Sequence, residues 1–283
     1  SLLIDGVAVA DPSSETFYGM GRMASGIEVP FEGGEYYALK DVPHGDIRMK
    51  RYYSEVSRSW RRFFVYTPAG YDTRTDEKYP VLYLLHGGGE DERGWGTQGK
   101  TDLIMDNLIA AGKAKPMLVV MLDGNMPSAG FSAGALKAFE AELMQAVIPF
   151  VEDNYRVRKE ADSRALAGLS MGGIQTLYAG LYHTDLFAHL GVFSSGWLPF
   201  YQKIADDQYE FINKNKAAID SQLRLLWIAM GGKEDIAYQN CQNMLKEFDT
   251  LKLKYTYSEY PGGHTWPVWR NNLYHFAQLL FNK

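Results

Sequence analysis

The chain has 283 residues, 46% of them hydrophobic and 14% aromatic, which is enough to bury a sizeable core. A formal net charge of −5, with no block of five like charges, gives no electrostatic footprint for nucleic acid or an anionic membrane surface. The longest apolar runs, such as MLVVML at 117–122, fall far short of the ~20 residues that span a bilayer. A single cysteine, Cys241, excludes an internal disulfide and a thiolate zinc cluster.

The first forty residues carry glycine, proline and short polar turns and no helical period, so residues 1–40 read as an extension draped over a neighbouring domain, residues 41–283. The chain opens on SLLIDGV, which reads as the middle of a strand, so we expect it to be cut from a longer protein whose targeting sequence lies elsewhere. From Gly45 two alternating runs flank Glu55 to Ser59, the pattern of an antiparallel hairpin. YPVLYLLHGGG and PMLVVMLDGN are continuous apolar runs, as in strands buried on both faces of a parallel sheet.

Between residues 134 and 155 an apolar stripe at Leu136, Phe139, Leu143, Val147 and Phe150 predicts a helix. RALAGLS, LGVFSSG and LRLLWIAMGG supply three more buried strands, and LKYTYSEY a last one. Helical patterns fall at 101–112, 171–183, 206–218, 236–249 and 267–281. A hairpin followed by alternating strands and helices predicts an α/β fold: a mostly parallel central sheet with an N-terminal antiparallel hairpin and helices on both faces.

Ser170 lies in Gly168-Leu169-Ser170-Met171-Gly172, a GxSxG pentapeptide between a buried strand and a helix. In that setting a tight turn forces the serine backbone into strain and exposes its hydroxyl, with small residues two positions away on each side avoiding collision. A serine hydroxyl needs a base, and the base an orienting acid. Of six histidines, His264 in YPGGHTW follows the last strand and precedes the final helix, the expected place for the base. Asp235, in the GGKED that ends the preceding strand, is the preferred acid, with Glu234 as its competitor. Two backbone N–H groups should bind the oxyanion, one from Met171 and one from Gly88 in the His86-Gly87-Gly88-Gly89 loop. His86 then shapes the loop and is not a base.

YPVLYLLHGGGEDERGW, LAGLSMGGIQTL, GGKED and YPGGHTWPVWRNNL together resemble the esterase D group of α/β hydrolases. Within it the chain is most similar to carbohydrate esterase family 1, the feruloyl and acetylxylan esterases, over residues 45–283. The resemblance implies an α/β-hydrolase fold and a secreted or periplasmic bacterial serine esterase, without metal or cofactor, acting on feruloylated arabinoxylan of plant cell walls. Acetylxylan esterase and siderophore esterase activities of the same group are the alternatives, and a non-catalytic glycan-binding module of the hydrolase fold is a third. LLIDGVAVADPSSETFYGMG is similar to the last strand and linker of a family 48 carbohydrate-binding-like domain.

Trp95, Trp197 and Trp266 fall on loops near the site and are the expected walls for a hydroxycinnamoyl ring or sugar, whereas Trp269 in the last helix is expected in the core. No insertion is long enough for an elaborate lid, which predicts an open groove suited to an ester on a polymer.

Overall fold

A computed structural model of the chain describes residues 2–30, 32–127 and 132–282. Two small hairpins come first: β1 (Leu2–Ile4) with β2 (Val7–Val9), and β3 (Glu15–Gly19) with β4 (Arg22–Gly26). The expected antiparallel hairpin follows as β5 (Asp46–Ser54) and β6 (Ser59–Thr67). Then come β7 (Val81–Leu85), α1 (Gly94–Thr97), α2 (Thr101–Ala110), β8 (Leu118–Leu122), α3 (Ala133–Glu142) and α4 (Ile148–Asn154). The chain continues through β9 (Arg164–Leu169), α5 (Met171–Tyr182), β10 (His189–Phe193), α6 (Gln202–Gln222), β11 (Leu225–Met230), α7 (Tyr238–Thr250), β12 (Thr256–Glu259) and α8 (Trp266–Leu279).

Eight strands form one sheet in the order β12-β11-β10-β9-β7-β8-β6-β5. Strands β7 to β12 run parallel, and the β5–β6 hairpin joins antiparallel through β8. Alternate side chains divide the core. Val81, Tyr83 and Leu85 of β7 pack with Leu136 and Phe139 of α3, Leu177 of α5, Ile212 of α6 and Phe248 of α7. Leu82 and Leu84 point the other way, toward Ile104 and Met105 of α2 and Leu273 and Phe276 of α8. Strands buried on both faces need apolar residues at every position, which is why VLYLL and LVVML show no alternation.

The stripe expected between 134 and 155 is divided: a π-helical turn, Leu143–Val147, separates α3 from α4, with Pro149 in the first turn of α4. Leu136, Phe139, Leu143 and Val147 are buried as expected, and half-buried Phe150 packs on Tyr52 and Phe63. Helix α6 is longer than the 206–218 pattern and bends at Asn215. No helix among the described residues is long and apolar enough to cross a membrane.

Candidate active site

The candidate residues lie at the carboxyl ends of the parallel strands, where open α/β sheets place their sites. Ser170 follows β9 with φ +50° and ψ −114°, a conformation that L-residues rarely adopt, and α5 begins at the next residue. Packing enforces this turn. A Cβ on Gly168 would lie 2.4 Å from the Gly172 carbonyl carbon, and one on Gly172 would lie 2.6 Å from the His86 carbonyl oxygen. Both flanking glycines of the pentapeptide are therefore required by contact. The Ser170 N–H donates to Phe193 O at 2.9 Å, and the Ser195 hydroxyl donates to Ser170 O at 2.7 Å, so the strained residue is held from both sides.

Asp235 follows β11 and His264 follows β12, and His264 Nδ1 lies 2.8 Å from Asp235 Oδ1. The two loops are laced together by the Gly232 N–H, which donates to Gly262 O at 2.6 Å. Glu234 points to solvent, so the carboxylate that meets the imidazole is Asp235. Burial would push the Asp235 carboxyl up, but His264, the neighbouring Ser194 hydroxyl and the Ala237 N–H together hold it below the usual range. The Ser194 hydroxyl stands near the carboxylate without meeting hydrogen-bond geometry, so Oδ2 keeps an unpaired acceptor. An ionised acid bonded to Nδ1 fixes the tautomer that leaves Nε2 free to take a proton.

The loop after β7 closes over this centre. A Cβ on Gly87 would lie 3.4 Å from Ser170 Cβ and 2.6 Å from a Leu169 methyl, which places the glycine run against the serine turn. The Gly87 N–H donates to Glu90 Oε2 at 3.3 Å, while no acceptor among the described residues meets the Gly88 N–H. Met171 opens α5, and its N–H, in the first turn, has no intrahelical partner. His86 is buried, with Nδ1 2.8 Å from Gly87 O and Nε2 accepting from the Gly124 N–H at 3.0 Å. Both ring nitrogens are thus occupied in holding the loop.

The tryptophans separate. Trp95 is 1% exposed and its indole donates to Leu85 O at 2.8 Å. It belongs to the core, which corrects its assignment to the substrate wall. Trp197 is also buried, 7% exposed, and packs edge-to-face on Tyr201 with its indole N–H unpaired. Trp266 alone of the three is half-buried. Trp95, Trp266 and Trp269 stack edge-to-face at 5.2 Å intervals, and Trp269, buried as expected, meets the His264 ring at 5.1 Å.

Glu90 was not singled out by the sequence reading. Its Oε1 accepts from the Trp266 indole at 2.8 Å and its Oε2 from Gly87, so one carboxylate joins the glycine loop to the helix that follows His264. Burial pushes its carboxyl above the ordinary range, opposed by the bond from Gly87 and by the nearby histidines. A small cavity of about 100 Å³ lies beside Met171, lined by Asn125, Met126, Leu136, Gln175 and Tyr201. The Gln175 amide donates to Gly124 O at 2.7 Å, which leaves its buried Oε1 without a donor.

Residues 54–278 match the family described as "Putative esterase". The chain is 35% identical over 294 aligned positions to an endo-1,4-beta-xylanase/feruloyl esterase of Xylanibacter ruminicola, an alignment that covers 99% of this chain and 38% of that protein. It therefore spans well under half the length of that relative. Among solved structures it is similar to a feruloyl esterase module of Clostridium thermocellum complexed with sinapinate, with a TM-score of 0.74, 25% identity and 97% of each chain covered. A ferulic acid esterase of Anaeromyces mucronatus in complex with ferulic acid superposes with a TM-score of 0.75 at 24% identity, over 90% of this chain and 98% of that one, and shares the fold. A strained strand-to-helix serine, a paired Asp235 and His264 on the same sheet edge, and a family match over four-fifths of the sequence lead to one assignment: the chain belongs to the esterase family.

Proposed function

We propose that the chain is a serine esterase that releases ester-linked hydroxycinnamate, such as ferulate, from arabinoxylan through an acyl-enzyme. The observation that carries the chemistry is the Asp235–His264 contact at 2.8 Å on the sheet edge where Ser170 is held at φ +50°. Ser170 Oγ attacks the ester carbonyl while His264 Nε2 takes its proton. Asp235 holds the imidazole and stabilises its cation, and the Gly88 and Met171 N–H groups bind the oxyanion. His264 then protonates the departing sugar alcohol and activates the water that frees the acid.

A phenolic acyl group is favoured by the named activities of the similar proteins. Trp266 remains the aromatic wall in this reading. A polymeric substrate places the working enzyme outside the cell, in the secreted or periplasmic setting expected from the sequence.

The test is ferulate release from methyl ferulate and from wheat arabinoxylan. Release from both is expected, and its loss in Ser170→Ala. Activity on acetylated xylan alone would overturn the feruloyl assignment, and unchanged turnover in Ser170→Ala would overturn the nucleophile.

A further inference from the structure

The β5–β6 hairpin extends past the sheet on the catalytic side. The β6–β8 pairing ends with Phe63 opposite Leu122, the last residue of β8, so residues 59–62 of β6 rise beyond the carboxyl ends of the parallel strands. Trp60 stands on this extension, directly opposite Tyr53, and is 73% exposed. Cross-strand pairing with Tyr53, at 5.7 Å and edge-to-face, stabilises the hairpin. It does not cover the indole.

A groove of about 540 Å³ runs from this indole toward the catalytic centre, between the hairpin, the loop after β7 and the loop after β8. Tyr18, Trp60, Arg62, Glu92, Asp123 and Asn125 are among its lining, and it also includes Glu90, the carboxylate bonded to Gly87 beside Ser170. Asn125 and Met126 line both this groove and the cavity beside Met171, so the two are adjacent. Most of its charged groups are paired: Arg62 bonds Glu92, Arg61 lies 3.7 Å from Asp123, and Asp91 bonds Arg93 from outside the lining, while Glu90 and exposed Arg51 form no ion pair among the described residues. A lining in which three of the four carboxylates already meet an arginine favours neither an anion nor a cation. An exposed indole flanked by fixed donors and acceptors fits an uncharged polyhydroxylated ligand.

From these relationships we infer that the groove holding Trp60 is a glycan subsite, in which the saccharide chain on the alcohol side of the ester stacks on the indole while its acyl group lies at Ser170. This rests on the proposed function and extends it to the leaving-group side. Strand order sets the reach: β6 lies three strands from β9, roughly 14 Å at the usual interstrand spacing, and Trp60 stands about 10 Å beyond the end of β8. A short oligosaccharide spans that distance and a methyl ester does not.

Ester-free arabinoxylo-oligosaccharide titrated calorimetrically into the intact protein and into Trp60→Ala and Trp60→Phe reads the subsite without catalysis. Trp60→Ala should bind about fivefold more weakly and Trp60→Phe should keep most of the affinity. In parallel, the ratio of kcat/KM for feruloylated oligosaccharide to that for methyl ferulate should fall by a similar factor in Trp60→Ala. Equal binding by Trp60→Ala, or no binding by the unaltered protein, would overturn the subsite even if ferulate is released. Binding that depends on Trp60 in a protein that releases no ferulate would uphold the groove and sink the feruloyl reading instead.

Discussion

The Gly21 amide donates to the Gly89 carbonyl at 2.9 Å, so the tip of the β3–β4 hairpin is bonded to the glycine loop beside Ser170. The hairpin is held there by the Arg93 guanidinium over the Tyr18 ring at 4.9 Å and by Lys100 Nζ 3.7 Å from Glu15. Removing residues 1–26 breaks all three contacts but spares the Glu28–Arg270 ion pair. The sheet should stay folded, while kcat/KM on methyl ferulate should fall about tenfold as the proposed Gly88 donor loses its fixed position. Unchanged kcat/KM in the shortened chain would show that the hairpin is a passenger.

Asp235 and Glu234 are adjacent in sequence and opposite in environment. Asp235→Asn keeps the shape but disturbs the tautomer of His264, and kcat should fall by about 10⁴ on the precedent of triad chemistry. Glu234→Gln changes only an exposed side chain, and its kcat should stay within about twofold. Steady-state kinetics on one ester, with both variants side by side, decides between them. Equal losses in the two would remove Asp235 from its role.

The sheet and the candidate site are legible for the same reason. Five of the six parallel strands, β7 to β11, are buried on both faces and leave uninterrupted apolar runs, and residues at the carboxyl ends of the parallel strands fall on one edge whatever their separation in sequence. The serine turn was legible because its glycines are demanded by contacts under 3 Å, which no other residue tolerates. Trp95 differs from the expectation because its burial is set by long-range packing: its ring meets Phe193 and Trp266, and its N–H reaches Leu85 O. Glu90 and Trp60 escaped because their meaning is long-range: Glu90 bonds Trp266, and Trp60 gains its position only from where β8 stops. The two hairpins between Leu2 and Gly26 carried only turn chemistry, too short to show a period.

The two carboxylate oxygens of Glu90 join the glycine loop to Trp266, which would make it a positioning residue for the proposed reaction. Glu90→Ala frees the Gly87 N–H and the indole together. We expect kcat to drop about tenfold or more with KM nearly unchanged, because the loop acts on the transition state. Glu90→Gln keeps one acceptor and escapes the cost of burying charge, so it should recover part of kcat without loss of thermal stability. A change confined to KM, or a melting temperature that falls equally in both variants, would make Glu90 a packing residue only.

His189 begins β10 with 4% exposure and an unpaired Nδ1, beside the Phe281 ring. Burial lowers its pKa from 6.5 to about 4; Asp162 and the backbone near Arg164 oppose that shift, while Arg224 adds to it. Above pH 6.5 the ring is neutral in folded and unfolded chains alike and contributes no pH dependence. As the pH falls through 6.5 toward 4, the unfolded chain takes up a proton that the folded chain refuses, so stability is lost across that window. At pH 4.5 the loss should reach about 2 kcal/mol, an order-of-magnitude figure from 1.36 kcal/mol per pKa unit. Urea unfolding at pH 7 and pH 4.5 should show a smaller drop for His189→Gln than for the unaltered chain by about that amount. Parallel drops would mean that the ring is already protonated in the fold, and that the acid sensitivity of the protein lies elsewhere.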